Sequence, residues 1–113
     1  MSPRKSDLLP GTLDMLVLQT LSAGALHGYA IAQHIERTSG DLLRVEQGSL
    51  YPALERLQRA GWVTSKWGTS TTGRRVRYYT ITASGRKQLG SEISSFDAIT
   101  LGIARVLGRE EGT

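Results

Sequence analysis

The sequence predicts a mainly α fold with a small β-hairpin (an α+β domain), and three observations lead to this class. Three short segments before residue 61 place apolar residues at the 3–4 spacing of a helix face. Two runs rich in β-branched and aromatic residues, 62–67 and 75–81, flank a polar turn, as in an antiparallel hairpin. The last segment repeats apolar residues at heptad-like steps, which predicts one long helix.

The first helix is predicted to begin at Thr12, whose hydroxyl can cap it, with Asp14 near the positive end of the helix dipole. One face of this helix is continuously apolar, but Met15 and Leu18 lie off that face. A short helix that is apolar on two sides should be covered on two sides. This pattern predicts a partner beyond the chain's own core, with Leu18 in the interface.

A second helix is predicted over residues 28–39, and a third is predicted to begin at Gly48 or Ser49 and to end before Gly61, a typical C-terminal glycine. Pro52 supports this late start, because the amides of a helix's first turn have no intrahelical partner and proline lacks that amide. Ser49 is then a candidate for the N-terminal cap of the third helix.

The hairpin is predicted to have its tip at residues 68–74, with Val63, Tyr79 and Ile81 pointing inward. The hairpin aromatics are assigned to packing rather than to stacking on nucleic-acid bases. They are Trp62, Trp67, Tyr78 and Tyr79.

The fourth helix is predicted to be capped by Thr82 and to run to about Leu107. Its apolar residues fit a heptad seam better than a broad globular face, and a helix this long cannot be buried against three short ones. We therefore predict a C-terminal dimerisation helix. Its predicted interface residues are Leu89, Ile93, Phe96, Ile103 and Leu107, beside Leu18 of the first helix.

Positive charge is concentrated in one segment. The chain has 14 Lys and Arg against 10 Asp and Glu, a formal charge of +4, yet the stretch from Trp62 to Lys87 contains no acidic residue. Its basic residues are Lys66, Arg74, Arg75, Arg77, Arg86 and Lys87. A local excess of this kind favours a surface that binds the phosphates of double-stranded DNA.

The order of three helices followed by a hairpin is that of a winged helix-turn-helix. In helix-turn-helix proteins the second helix of the motif enters the major groove, and its N-terminal residues meet base edges. The side chains offered there are Gln47, Ser49 and Tyr51. Arg74 and Arg75 at the hairpin tip are predicted to contact phosphates, with Lys66 and Arg77 projecting beside the tip.

The 113 residues predict one domain, divided into a flexible N-terminal arm (1–9), a winged helix-turn-helix DNA-binding domain (10–82) and the dimerisation helix (83–110). There is no cysteine, no convincing signal peptide and no apolar run of transmembrane length, so we expect a cytoplasmic protein without membrane contact. His27 and His34 have no third ligand at useful spacing. Neither a catalytic residue set nor a metal or other cofactor is predicted, so we do not expect an enzyme.

Four blocks of the sequence resemble the PadR family of bacterial transcriptional regulators. They are Gly11–Leu18, Leu26–Ile31, Gln47–Leu57 with Gly61, and Arg77–Thr82 with Gly85. The resemblance covers roughly residues 8–90. It implies a homodimeric winged-helix repressor, built through the last and first helices, that binds a palindromic operator.

The resemblance also implies roles for single residues. Gln47, Ser49 and Tyr51 would face the DNA groove, and Arg74, Arg75 and Arg77 would be contacts of the wing. Many relatives are released from DNA by a small aromatic or apolar effector near the dimer interface. Phe96, in the middle of the last helix, is the candidate for such a pocket, or it simply fills the dimer core. The chain stops soon after this helix, as in the shorter members of the family.

Two alternatives from other functional classes stay open on the sequence alone. A winged helix can be a protein–protein interaction module, in which case the basic hairpin would meet an acidic partner. The chain can also be a ligand-sequestering dimer whose main site is the apolar space between the dimer helices.

Overall fold

The computed structural model describes residues 6–7 and 10–109, and this part of the chain holds four helices and five strands. In chain order they are β1 (Ser6–Asp7), α1 (Pro10–Leu21), β2 (Leu26–His27), α2 (Gly28–Thr38), β3 (Leu43–Arg44), α3 (Gln47–Arg59), β4 (Val63–Thr69), β5 (Arg75–Ile81) and α4 (Ala83–Val106). The predicted α+β class is confirmed. The rest of the predicted arm (residues 1–5 and 8–9) and residue 110 of the predicted dimerisation helix lie outside the described residues.

Helix α1 lies at the centre of the domain and packs against α2, α3, α4 and β5. Its Met15 and Leu18 are buried, Leu18 completely, with 0% of its surface exposed. The chain therefore covers both apolar sides of α1 by itself, and the inference that these residues require a partner was wrong. Packing against α2, α3 and α4 covers the second apolar side of α1.

The start of α1 also differs from the prediction. The helix begins at Pro10, so Thr12 lies inside it and is not its cap. Asp14 consequently lies in the second turn, where its carboxylate accepts a hydrogen bond of 2.9 Å from the guanidinium of Arg56 on α3. The acid that was expected to act on the helix dipole instead joins α1 to α3.

Helix α3 begins earlier than predicted, at Gln47, with Glu46 in the cap position and no side-chain capping bond. Ser49 is thus not a cap, and Pro52 lies in the second turn, not the first. The proline removes the bond that the Gly48 carbonyl would accept, but both residues are exposed, so water can solvate that carbonyl. The predicted stop is confirmed: Gly61 has a φ of 81°, in the left-handed region that glycine adopts without strain.

The hairpin joins a three-stranded antiparallel sheet in the order β2-β5-β4. Strand β4 extends to Thr69, so the tip is shorter than predicted and covers residues 70–74. It is closed by the amide of Ser70, which donates to the Arg74 carbonyl at 2.8 Å. The three predicted inward residues, Val63, Tyr79 and Ile81, are buried, as expected.

The first turn of α4 is fixed to the end of α3. Thr82 caps α4 as predicted: its Oγ1 accepts from the Gly85 amide at 3.0 Å and donates to the Gly61 carbonyl at 2.8 Å. A Cβ at Gly85 would collide with the carbonyl oxygen of Trp62. The glycine therefore allows α4 to begin directly on the hairpin base.

Among the described residues, no helix is long and apolar enough to cross a bilayer.

Candidate nucleic-acid interface

A cleft separates the hairpin from the N-terminal ends of α2 and α3. Its main cavity has a volume of about 810 Å³ and brings the predicted residues Tyr51, Arg74, Arg75 and Arg77 to one place. A second cavity of about 480 Å³ continues along α3, and Tyr51, Arg77 and Tyr79 line both. The candidate site is therefore one continuous groove between helix and hairpin.

Strand register explains which hairpin residues face this groove. Residues opposite one another across β4 and β5 share a face of the sheet, and Trp67 pairs with Arg77 while Lys66 pairs with Tyr78. Arg75, two residues before Arg77, lies on the same face as Trp67. Lys66 projects from the other face, so the predicted grouping of Lys66 beside Arg77 does not occur.

Trp67 organises the basic side of the groove. The Cζ atoms of Arg75 and Arg77 lie 4.9 and 5.5 Å from the centroid of its ring. Trp67 nevertheless remains 53% exposed, which differs from the packing role that the sequence predicted for it. On this face of the hairpin, the residues that pack on the core lie nearer the hairpin base. They are Val63 and Tyr79, which are buried against α1 and α3.

The opposite wall of the groove is formed by α3. Gln47 and Tyr51 are four residues apart and so lie on one face of the helix, whereas Ser49, two residues from each, points to another side. All three are exposed, but only Tyr51 lines the groove, and Gln47 and Ser49 lie outside its lining. Tyr51 also packs against the start of α2, where a Cβ at Gly28 would lie 2.6 Å from the Tyr51 hydroxyl. The tyrosine therefore combines a structural contact with an exposed polar edge.

Helix α2 contributes residues that the sequence analysis did not single out. Tyr29 and Gln33 line the groove, and the Gln33 amide donates to the Tyr29 hydroxyl at 3.2 Å. Their i, i+4 spacing on the polar side of α2 was visible in the sequence. That they face the groove depends on how α2 packs against the hairpin, which the spacing does not give.

The two histidines, one before α2 and one within it, have structural contacts. His27 Nδ1 accepts from the Ala30 amide at 3.2 Å and so caps α2. His34 Nε2 lies 3.4 Å from the Thr38 hydroxyl one turn later. Within residues 6–7 and 10–109, no three His, Cys, Asp or Glu side chains converge as a metal site would require.

Burial raises the pKa of the Tyr79 phenol above its ordinary value of 10.0, and the neighbouring Arg77 charge opposes that shift. The Tyr79 phenol therefore stays neutral through the physiological range. Glu55 and Arg59, which line the second cavity, are 3.7 Å apart on successive turns of α3. The groove thus changes from basic at the hairpin to mixed charge along α3.

A second exposed surface runs along α4. Beyond Leu89, which is buried, the predicted interface residues are exposed on one side of the helix, with Phe96 45% exposed. We call this surface the α4 stripe, and its members are Ile93, Phe96, Ile103 and Leu107. Leu18 and Leu89 are already covered within one chain, so Leu18 offers no area to a partner.

Comparison with known proteins points to transcriptional regulators. The family model described as the transcriptional regulator PadR-like family matches residues 17–91. The negative transcriptional regulator PadR of Bacillus subtilis (strain 168) is 29% identical over 77 residues, which are 68% of this chain and 42% of that protein. An uncharacterized 37.1 kDa protein in transposon TN4556 of Streptomyces fradiae is 41% identical over 95 residues, 84% of this chain and 24% of that protein. The chain thus spans less than half the length of these two relatives.

A solved structure supports the same assignment at the level of fold. A transcriptional regulator from Clostridium thermocellum matches with a TM-score of 0.77 and 28% identity, over 84% of this chain and 92% of that one. The matching family and this structural neighbour are transcriptional regulators and not enzymes, and the shared architecture is a winged helix.

Proposed function

Because the chain belongs to the PadR-like family of transcriptional regulators, we propose that it is a repressor that binds a palindromic DNA operator as a homodimer. The observation that carries this proposal is the groove itself. It joins Tyr51 of α3 to Arg74, Arg75 and Arg77 of a hairpin that contains no acidic residue. A reading helix beside an unopposed basic strand suits a DNA groove and its flanking phosphates.

In this proposal the two walls have different tasks. The arginines donate to phosphate oxygens and supply affinity that does not depend on sequence. Gln47 and Tyr51, on one face of α3, reach base edges, since glutamine can pair bidentately with adenine and a hydroxyl bonds either base type or a phosphate. Ser49 would meet a phosphate at the other side of the helix end. Lys66 lies on the outer face of the hairpin, so it would contact only DNA phosphates that lie outside the groove.

The α4 stripe is proposed to pair with its copy in a second chain. Two winged domains held at a fixed distance read two half-sites, which is why the operator would be palindromic. The repressor role rests on the likeness to the Bacillus subtilis protein, whose name states negative regulation. Phe96 lies half-exposed in the stripe, a place where a small aromatic or apolar effector would change the distance between the two domains.

The test is the salt dependence of DNA binding. We expect Arg74→Ala/Arg75→Ala to weaken binding to every duplex and to reduce the slope of log K against log salt by about one to two, because two phosphate contacts are lost. Fluorescence anisotropy with operator and random duplexes at several salt concentrations measures both quantities. Arg105→Ala/Arg109→Ala removes the same charge from exposed positions at the far end of α4 and should leave the slope near that of the native protein.

Three results would count against the proposal. A changed operator preference with an unchanged slope would mean that the hairpin reads bases instead of binding phosphates. If the native protein does not bind random duplex at low salt with micromolar affinity or better, the interaction-module alternative gains support. An aromatic compound that binds the dimer without altering DNA affinity would favour the ligand-sequestering alternative.

A further inference from the structure

Resting on the proposed function, we propose that Trp67 is a positioning residue of the DNA site. Its ring face holds the guanidinium groups of Arg75 and Arg77 in the groove, so that both meet neighbouring phosphates of one strand. The juxtaposition is direct: Trp67 is opposite Arg77 in the strand register, and both Cζ atoms lie within 5.5 Å of the ring centroid.

Packing does not account for a tryptophan at this position. Large aromatic rings are normally retained because they bury area, but this ring is more than half exposed. Val63 and Tyr79 on the same face are buried and fill the space next to the core. The contacts that distinguish Trp67 are the two arginines.

The two guanidinium groups need such support. They project from the same face of β5 two residues apart, and like charges on neighbouring side chains repel. Among the described residues, neither arginine forms a salt bridge that would offset this repulsion. The negative face of an indole ring attracts both cations and so lowers the cost of holding them together.

This arrangement also leaves the arginines free to bind. A guanidinium that stacks its planar face on a ring keeps its N–H groups in the plane, where they can match a phosphate bidentately. Two arginines that are ordered before binding lose less side-chain freedom on contact with DNA. Trp67 therefore acts through the arginines, by preorganising them.

The first measurement uses the free protein. Side-chain NMR should show the Hε and Hδ protons of Arg75 and Arg77 shifted by the ring current of Trp67. We expect the shifts to vanish in Trp67→Leu, which keeps apolar bulk, and to persist in reduced form in Trp67→Phe, which keeps an aromatic face. Absence of ring-current shifts in the native protein would overturn the arrangement whether or not the protein binds DNA.

The second measurement is a double-mutant cycle in DNA affinity. We expect Trp67→Leu to weaken binding to a random duplex about fivefold, and Trp67→Phe to weaken it less than twofold. In an Arg75→Gln/Arg77→Gln background, Trp67→Leu should have no further effect. Thr64→Leu, an exposed change on the outer face of the same strand, is the matched control and should bind as the native protein does.

The outcomes separate the two proposals. Native affinity in Trp67→Leu overturns the positioning role. An undiminished effect of Trp67→Leu without the two arginines also overturns it, since the ring would then contact DNA itself. If the native protein does not bind DNA at all, the proposed function fails, and the positioning role fails with it even where the ring-current shifts are present. Should Trp67→Leu unfold, Trp67→Thr, which also removes the ring at this exposed strand position, replaces it in both measurements with the same expected results.

Discussion

Helix α1 and the second half of α4 both carry more apolar surface than a short amphipathic helix usually does. The apolar surface of α1 is buried, whereas that of α4 is exposed. The two-sided apolar surface of α1 is covered by α2, α3, α4 and β5 of the same chain. The α4 stripe is left exposed, beginning at Ile93. An excess of apolar residues therefore does not by itself show whether a helix is buried within its own chain.

The difference follows from position in the fold. Helix α1 lies between α2, α3, α4 and β5, so Val17 on its main apolar face and also Met15 and Leu18 off that face are buried. Helix α4 begins on the hairpin base, where Thr82 and Gly85 fix its first turn, and then runs past the end of the domain. Its first turns cover α1 through Leu89, and its remaining turns have no facing element within the described chain.

The largest expected effect is on the covered side. Leu18→Ala should destabilise the domain by about 2–5 kcal/mol, because it removes completely buried methyl groups and leaves a cavity among packed helices. Urea denaturation followed by circular dichroism measures the change. Leu42→Ala, at an exposed apolar residue, is the control and should change stability little. A small loss for Leu18→Ala would mean that α1 is less tightly packed than the complete burial of Leu18 indicates.

On the uncovered side, a mutation should change association instead of folding. Phe96→Glu should leave the helical circular dichroism of the domain in place and weaken self-association at least tenfold, or about 1.4 kcal/mol, because it places like charges in an apolar interface. Sedimentation velocity across a concentration series measures this. Ser94→Glu adds the same charge on the opposite side of α4 and should associate normally. Equal association of both variants would exclude the α4 stripe as the dimer surface.

The junction between the two regions gives a smaller effect. Thr82→Ala removes both the cap of α4 and the bond to the Gly61 carbonyl, and should cost about 1 kcal/mol. Because these bonds lie within one chain, the variant should lower the unfolding midpoint without altering the dissociation constant of the dimer. Thr82→Ser keeps the hydroxyl and should recover most of the stability. If Thr82→Ala changed self-association alone, the start of α4 would belong to the dimer interface.

The smallest effect concerns Tyr79, which packs on the α1 side of the sheet. Burial raises its pKa above 10.0, so the folded state favours the neutral phenol. The stability from this preference is complete below the unfolded pKa and is lost as pH rises through the higher folded pKa. We expect urea midpoints of the native protein to fall relative to Tyr79→Phe only above about pH 10. A constant difference across that range would show that Tyr79 titrates as in the unfolded chain.

Much of the local structure could be predicted because its causes are local. Gly61 and Thr82 mark helix ends through backbone conformation and capping, which depend on a few adjacent residues. The inward residues of the hairpin followed from alternation. The start of α3 was misplaced because Pro52 was taken as a first-turn residue, whereas an exposed second-turn proline leaves a carbonyl that water can satisfy.

The candidate site was predicted only in part, because part of its geometry depends on strand register and on packing between distant elements. Tyr51 and the three arginines do line one groove, as their order in the chain suggested. The separation of Lys66 from Arg77 required the strand register, since one residue of shift moves a side chain to the other face. The places of Trp67, Tyr29 and Gln33 in the groove depend on packing between elements that are distant in sequence.

By itself, the sequence determined the four helices and the hairpin, their order, several of their ends and the basic charge of the hairpin beside α3, whereas the short strands β1 and β2 were not predicted. These features come from interactions within a few residues or from net charge, which a linear pattern contains. Only the tertiary structure decided that Leu18 is internal, that the α4 stripe is external, and that Trp67 lies beneath two arginines. Each of those outcomes depends on which distant surfaces meet, and burial and ion–ring contacts exist only once they have met.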